Sequence, residues 1–408
     1  MWALWRDRQT LAVTFFDGLA AAQKSARLTL FFKGISVRRS LICLCLVSLA
    51  ACAPRGTIVV DPAAAKVGQV EEIFVGSTRA IDADTGTFGR GRSEEEHFAR
   101  YAISVPPNRK LGEIKFPGRH AKPDPQRHFL TTEQEMHLSR REFSADLHQA
   151  FLALPRSQRE AVIYVHGFNN TFAEGLYRIA QLSHDLEMPG VTLHYSWPSI
   201  GNPLGYVADR DSAMFARDGL ERLIHETADA GAERIVLVAH SMGSALTMET
   251  LRQVAIRGDN RIRQRMAGVI LISPDLDVDL FRMQARTYGA LPQPFIIFGS
   301  NRDSLLSLSA QLTGQPERLG NLSDISRVAD LDVTFLDTKA YSEGSGHFNL
   351  GDSAALLQLM SRVADVDAAF GSDQRGKVGL LPGVVLTVQN ATQIVLAPVG
   401  VVAEGLSN

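Results

Sequence analysis

The chain has 408 residues, 45% of them hydrophobic and 21% charged, with a formal net charge of −2. That length suits one large domain with extensions, and the near-neutral balance gives no electrostatic reason to expect nucleic acid as a partner. His, Cys and acidic residues do not cluster at metal-ligand spacing, so no metal and no other cofactor is expected.

All three cysteines, Cys43, Cys45 and Cys52, lie near the N-terminus. Arg38 and Arg39 precede an apolar run, residues 41–51, too short for an ordinary membrane span. The run ends Leu49-Ala50-Ala51-Cys52, which resembles a bacterial lipobox. Residues 1–51 are therefore read as a leader, and Cys52 as the lipidated first residue after cleavage. No other thiol and no disulfide would remain. Residues 1–36 are over-long for the positive region of such a leader, and translation is expected to begin near Val37. Residues 52–70 read as a linker, 71–370 as the folded domain and 371–408 as an apolar tail.

Within the domain, alternating β-branched residues predict strands at 71–78 and 99–105, with the charge- and Gly-rich 82–96 as a solvated loop between them. The five prolines of 106–127 mark an extended excursion, and apolar spacing predicts a helix over 144–154. The run 162–165 reads as a buried strand ending in His166-Gly167-Phe168-Asn169-Asn170. A helix at 173–186, a strand at 191–197, a Gly/Pro loop at 199–207 and a long helix over 207–230 follow. Further strands are expected at 234–240, 268–272, 294–300 and 332–336. Strands alternating with helices argue a mostly parallel, doubly wound α/β sheet with helices on both faces. Residues 304–330 fit a small lid or, preferably, a helix packed on the core. Residues 371–377 match the first seven positions of a phosphate-binding loop, but Val378 replaces the Ser/Thr that would hold Mg²⁺, so the stretch reads as a linker. The tail 377–402 is apolar and β-branched. It is left open whether it lies on the domain, contacts a bilayer or binds an envelope protein.

Chemistry concentrates at Arg234-Ile235-Val236-Leu237-Val238-Ala239-His240-Ser241-Met242-Gly243-Ser244-Ala245. A buried strand stops at a serine flanked two positions away by Ala239 and Gly243, and helical spacing follows. Strand, sharp turn and helix form a nucleophile elbow, with the usual first Gly replaced by Ala. The turn holds the Ser241 hydroxyl out at the carboxyl end of the sheet and aims a helix N-terminus, led by the Met242 N–H, at an oxyanion. Of eleven histidines only His347, in a Gly-rich loop, follows Ser241.

The chain resembles a bacterial family of α/β-hydrolases of unknown function that includes envelope lipoproteins. The matching pieces are residues 73–79 (Ile-Phe-Val-Gly-Ser-Thr-Arg), 166–170, 195–199 (Tyr-Ser-Trp-Pro-Ser), 239–243 and 273–275 (Ser-Pro-Asp), within roughly 70–366. The resemblance implies the α/β-hydrolase fold and a hydrolytic machinery, without a substrate. It implies an oxyanion hole formed by the N–H groups of Phe168 and Met242, with His166 as a structural brace of the loop. The order nucleophile, acid, histidine makes His347 the base and Asp303 the acid, with Asp275 as the alternative. Phe168, Trp197 and Asn169 would sit on the catalytic face; for Trp197, pocket wall and packing residue are both open.

The expected protein is thus a serine hydrolase acting on an acyl bond, a carboxylic ester first among the choices, with a small-molecule or lipid ester as substrate. It would be tethered by Cys52 to the membrane of a bacterial cell envelope, on the periplasmic side. Ala53 in place of an inner-membrane retention Asp favours the outer membrane. The competing expectation is a non-catalytic envelope scaffold or binding lipoprotein built on the same frame.

Overall fold

The computed structural model describes residues 55–118, 121–339 and 383–396. Residues 1–51, read above as a leader, and Cys52, His347 and the phosphate-loop look-alike lie outside them. No helix among the described residues is long and apolar enough to cross a membrane.

The first strands form one long ribbon. β1 (Gln69–Ile81) and β2 (Phe88–Val105) pair antiparallel from Gln69 opposite Val105 to Ile81 opposite Phe88. The charged stretch expected to be a loop is therefore mostly strand. Only residues 82–87 turn, with Asp82 Oδ1 accepting from the N–H groups of Asp84 and Thr85. The charges mislead because this end of the ribbon is largely exposed and needs no apolar alternation. β3 (Leu130–His137), polar and unforeseen, pairs antiparallel with β2.

The parallel strands follow, each run apolar because both faces are covered. They are β4 (Glu160–Val165), β5 (Val191–Ser196), β6 (Arg234–His240), β7 (Met266–Ile272), β8 (Phe295–Gly299) and β9 (Val333–Asp337). The tail contributes β10 (Gly383–Val388) and β11 (Ala391–Leu396), an antiparallel hairpin whose β11 lies parallel to β9. The described strands run in the order β10-β11-β9-β8-β7-β6-β4-β5-β1-β2-β3. Part of the apolar tail thus extends the domain's own sheet.

Eight described helices connect the strands: α1 (Arg140–Leu152), α2 (Phe172–Asp185), α3 (Tyr206–Phe215), α4 (Arg217–Asp229), α5 (Met242–Ile256), α6 (Asn260–Arg265), α7 (Val278–Tyr288) and α8 (Ser304–Leu312). α1, α4, α5 and α7 bury their apolar stripes on one face of the sheet, and α2 buries its own on the other. Several starts are set by caps: Thr171 and Glu174 form a capping box on α2, Asp277 caps α7 and Asp303 caps α8.

The long helix expected over 207–230 is two helices broken at Ala216. The buried Tyr195 hydroxyl donates to the Ala216 carbonyl at 2.5 Å. The same carbonyl still accepts from the Leu220 N–H at 3.1 Å, and the Ala216 N–H donates to the Ser212 carbonyl at 3.0 Å, so the backbone bonds continue through the break.

The chain before β1 is not a free linker. Val60 bridges to Thr131, and Arg55 is bound to Glu174.

Candidate active site

The strand order sets the site. β4 lies between β5 and β6, so the chain leaves β4 in one direction along the sheet and returns to β6 on its other side. A crevice opens at the carboxyl ends of strands where the direction switches, and ligands bind there in open α/β sheets. The loops after β4 and β6 carry His166-Gly167-Phe168 and Ser241.

Ser241 occupies a backbone conformation that L-residues rarely adopt, φ 51° and ψ −120°. Its N–H donates to the Ile272 carbonyl at 2.9 Å, and its carbonyl accepts from the N–H groups of Ser244 at 3.0 Å and Asp275 at 3.1 Å. These bonds hold a conformation that costs of order 1–3 kcal/mol. Asn169 after β4 and Ser273 after β7 also have positive φ, 58° and 43°. Three strained non-glycine residues therefore gather at neighbouring strand ends.

Ser241 is also the N-cap of α5, yet its side chain makes no capping hydrogen bond. Serine is among the best caps, but it caps from the β region, which Ser241 does not occupy. The first N–H groups of α5, starting with Met242, are thus left uncapped by the residue that would normally satisfy one of them. A helix end in that state favours a developing negative charge.

The approach of the two loops explains the small residues. A Cβ on Gly243 would stand 2.4 Å from the His166 carbonyl oxygen and 2.6 Å from that of Val165. A Cβ on Gly167 would stand 2.7 Å from His240 Nδ1 and 3.0 Å from Ser241 Cβ. Ala239, in place of the usual first Gly, is tolerated and fully buried.

A buried polar network shapes the loop of Phe168, and sequence reading missed most of it. Arg79, fully enclosed, donates from Nη2 to the Asn170 carbonyl (3.1 Å), from Nη1 to the carbonyls of Ser199 (2.9 Å) and Gly89 (3.0 Å), and from Nε to Ser196 Oγ (2.9 Å). Burial pushes its pKa down to about 9, so it remains charged at neutral pH. Asp209, also buried, accepts from the N–H groups of Asn169 (3.2 Å) and Ile200 (2.9 Å) and from Ser199 Oγ (2.6 Å). The His166 ring lies with Nε2 3.0 Å from the Trp197 carbonyl and Nδ1 2.9 Å from that of Gly167. Burial, reinforced by Arg79, holds that ring neutral, well below the usual histidine range. Trp197 stacks on His166 at 4.8 Å and donates to the His166 carbonyl at 2.7 Å. Its ring is fully enclosed, so it packs the loop rather than forming a pocket wall. The signal for Arg79 stood in residues 73–79, but strand alternation cannot tell a buried guanidinium from a solvated one.

The two acid candidates differ in surroundings. Asp303 is buried at the head of α8, with Oδ1 accepting from the Leu306 N–H at 2.9 Å. Asp275 accepts from Ser309 Oγ at 2.6 Å and Tyr206 OH at 2.9 Å, and pairs with Arg318 at 3.1 Å. Its carboxylate is thereby committed to a guanidinium and two hydroxyls. A cavity of about 120 Å³ lies beside Met242 and between α3, α5 and α7, walled by Tyr206, Met214, Ala245 and Leu280 with the Asp275–Arg318 pair. Phe168 meets Tyr206 edge-on at 5.4 Å. His347 lies outside the described residues.

A strained serine between a parallel-sheet strand and an uncapped helix, facing a braced His-Gly loop, defines an α/β-hydrolase architecture. Residues 142–361 match the family described as alpha/beta hydrolase of unknown function (DUF900), and the chain belongs to that family. No curated protein matches it. Among solved structures it is similar to an inhibited esterase B from Lactobacillus rhamnosis, at 15% identity and a TM-score of 0.31, covering 53% of this chain and 80% of that one. It is also similar to an esterase from Rhizomucor miehei, at 11% identity and a TM-score of 0.37, covering 76% and 88%. Brefeldin A esterase, a bacterial homologue of human hormone sensitive lipase, is similar at 13% identity and a TM-score of 0.37, covering 76% and 79%.

Proposed function

We propose that the chain is a serine hydrolase of acyl bonds, a carboxylic ester first, held at a bacterial envelope membrane by a lipid on Cys52. The observation that carries the reading is Ser241: a costly backbone conformation, held by three backbone hydrogen bonds, keeps a serine from capping its own helix. A merely structural serine gains nothing from that strain.

In the proposed reaction Ser241 Oγ attacks the acyl carbonyl while His347 takes its proton. The N–H groups of Met242 and Phe168 receive the oxyanion. The proton passes to the leaving alkoxide, and water then resolves the acyl-enzyme by the same base. Asp303 is assigned as the residue that orients His347. The prior engagement of the Asp275 carboxylate with Arg318 and two hydroxyls argues against the alternative.

The test is turnover of p-nitrophenyl esters from acetate to palmitate by residues 53–408. Asp303→Asn is expected to lose at least about a hundredfold in kcat, following the effect of mis-orienting a triad histidine, and Asp275→Asn much less. The opposite ranking would move the acid to Asp275. An inactive parent would favour the scaffold reading.

A further inference from the structure

The described chain enters the domain beside the active-site loop. Arg55 reaches both carboxylate oxygens of Glu174 at 2.7 and 2.6 Å, and the side-chain and main-chain oxygens of Asn169 at 3.0 and 2.7 Å. Gly56 adds two bonds, its N–H to Glu174 at 3.1 Å and its carbonyl from the Thr171 hydroxyl at 3.1 Å. Cys52 stands three residues upstream, a span of at most about 11 Å of extended chain. A lipid on Cys52 would therefore tether the domain from the side where Arg55 is bound.

The same face is apolar at its surface. Leu204 and Val207, where the loop after β5 runs into α3, are 92% and 74% exposed. That loop passes Arg55, whose Nη2 lies 3.5 Å from where a Cβ on Gly201 would stand. On α8, Leu305, Leu308 and Leu312 are 49%, 51% and 66% exposed, while Leu306 and Ala310 are buried. Their i, i+3, i+7 spacing makes one outward stripe. The hydroxyls of Tyr206 and Ser309, 2.7 Å apart, join α3 to α8, so both apolar groups border one region beside Asp275. A lone exposed leucine is ordinary; four leucines and a valine on α8 and around the start of α3, near the entry point of a chain proposed to carry a lipid, are not. The cavity beside Met242, about 120 Å³, is too small for a long acyl chain, which would lie along this surface.

We infer that the face formed by Leu204, Val207, Leu305, Leu308 and Leu312 seats on a lipid bilayer, and that the substrate is an acyl ester of a membrane lipid. The substrate half rests on the serine-hydrolase reading. The ester C–O bond breaks as Ser241 Oγ takes the acyl group, the alcohol leaves with the proton, and water releases the fatty acid.

The test uses residues 53–408, which contain the compact unit Arg55–Asn408 and lack the leader. Co-sedimentation with phosphatidylethanolamine/phosphatidylglycerol vesicles is measured for the parent and the Leu305→Ser/Leu308→Ser/Leu312→Ser variant. Leu138→Ser, at a residue 92% exposed beyond the end of β3, is the control. The triple variant is expected to bind at least about tenfold more weakly, from the apolar area it withdraws, and the control to bind as the parent does. Thermal unfolding confirms that each variant is folded. Equal binding by parent and triple variant, no binding by the parent, or leucine-dependent self-association without vesicle binding would each overturn the docking. Fluorophosphonate labelling of Ser241 in solution separates the two readings. A labelled chain that ignores vesicles loses the docking alone. A chain that binds through its leucines but never labels keeps the docking and loses the lipid-substrate assignment with the hydrolase reading.

Discussion

At the level of single residues, two buried side chains with no step of their own in the proposed reaction hold the loop that faces Ser241. Arg79 and Asp209 are buried charges that bind the loop of Phe168 through the carbonyl of Asn170 and the N–H of Asn169. In the proposed reaction both would be positioning residues. Arg79→Gln keeps some donors but loses the charge and the fork geometry. Its expected effect is a fall in kcat of about tenfold to a hundredfold, in line with a slightly misplaced oxyanion donor, with KM nearly unchanged. A structural defect alone would lower the amount of folded enzyme and leave the fluorophosphonate labelling rate of the folded fraction intact. The turn at Ser241 was legible in the sequence because its steric demand leaves a residue-type signature at Ala239 and Gly243. Asp209 and Arg318 were not, because a charge buried by tertiary packing looks like any surface charge until the fold encloses it.

At the scale of elements, the six parallel strands from β4 to β9 were readable as apolar runs, since burial on both faces leaves no room for alternation. The hard cases lay where that rule fails. β3 is a polar strand, and the outer half of the β1–β2 ribbon is charged and exposed. The α3–α4 break falls at Ala216, a good helix former that carries no local signal for one. The hairpin β10–β11 was visible only as an apolar, β-branched tail, because nothing local says which sheet edge it joins. Its place beside β9 makes a specific claim. Deleting residues 383–396 opens the β9 edge and removes the buried Ile394. Exposed edges invite pairing between chains, so the shortened protein is expected to self-associate on size-exclusion chromatography. A monodisperse monomer with an unchanged Tm would show that the hairpin is dispensable to the sheet.

At the scale of the whole molecule, buried titratable groups set how stability depends on pH. His194 is pushed down to about 3 by burial, and His166 is likewise held neutral. Both bind protons in the unfolded chain near the ordinary histidine value, so each contributes stability above about pH 6.5 that is lost as pH falls. Glu96 runs the other way: burial outweighs its bond to Arg222 and pushes it up to about 7. It contributes stability at low pH that is lost as pH rises through about 7. Below about pH 6.5 the two histidines take up protons on unfolding while Glu96 gives one up, so the Glu96 carboxyl opposes their loss of stability on acidification. In Glu96→Gln the opposing proton is gone, so the slope should be steeper than the parent's by about 1 kcal/mol per pH unit. Urea unfolding at pH 6.0 and 5.0 reads both slopes; equal slopes would mean that Glu96 does not hold its proton in the folded state.

The central claim is that the strained serine is a nucleophile, and one measurement reaches it directly. The chain is incubated with a fluorophosphonate, and intact mass and peptide mapping locate the adduct. The account predicts one adduct per chain, at Ser241, abolished in Ser241→Ala and slowed in Arg79→Gln. A folded protein that takes up no adduct, or takes it at another serine, would contradict it.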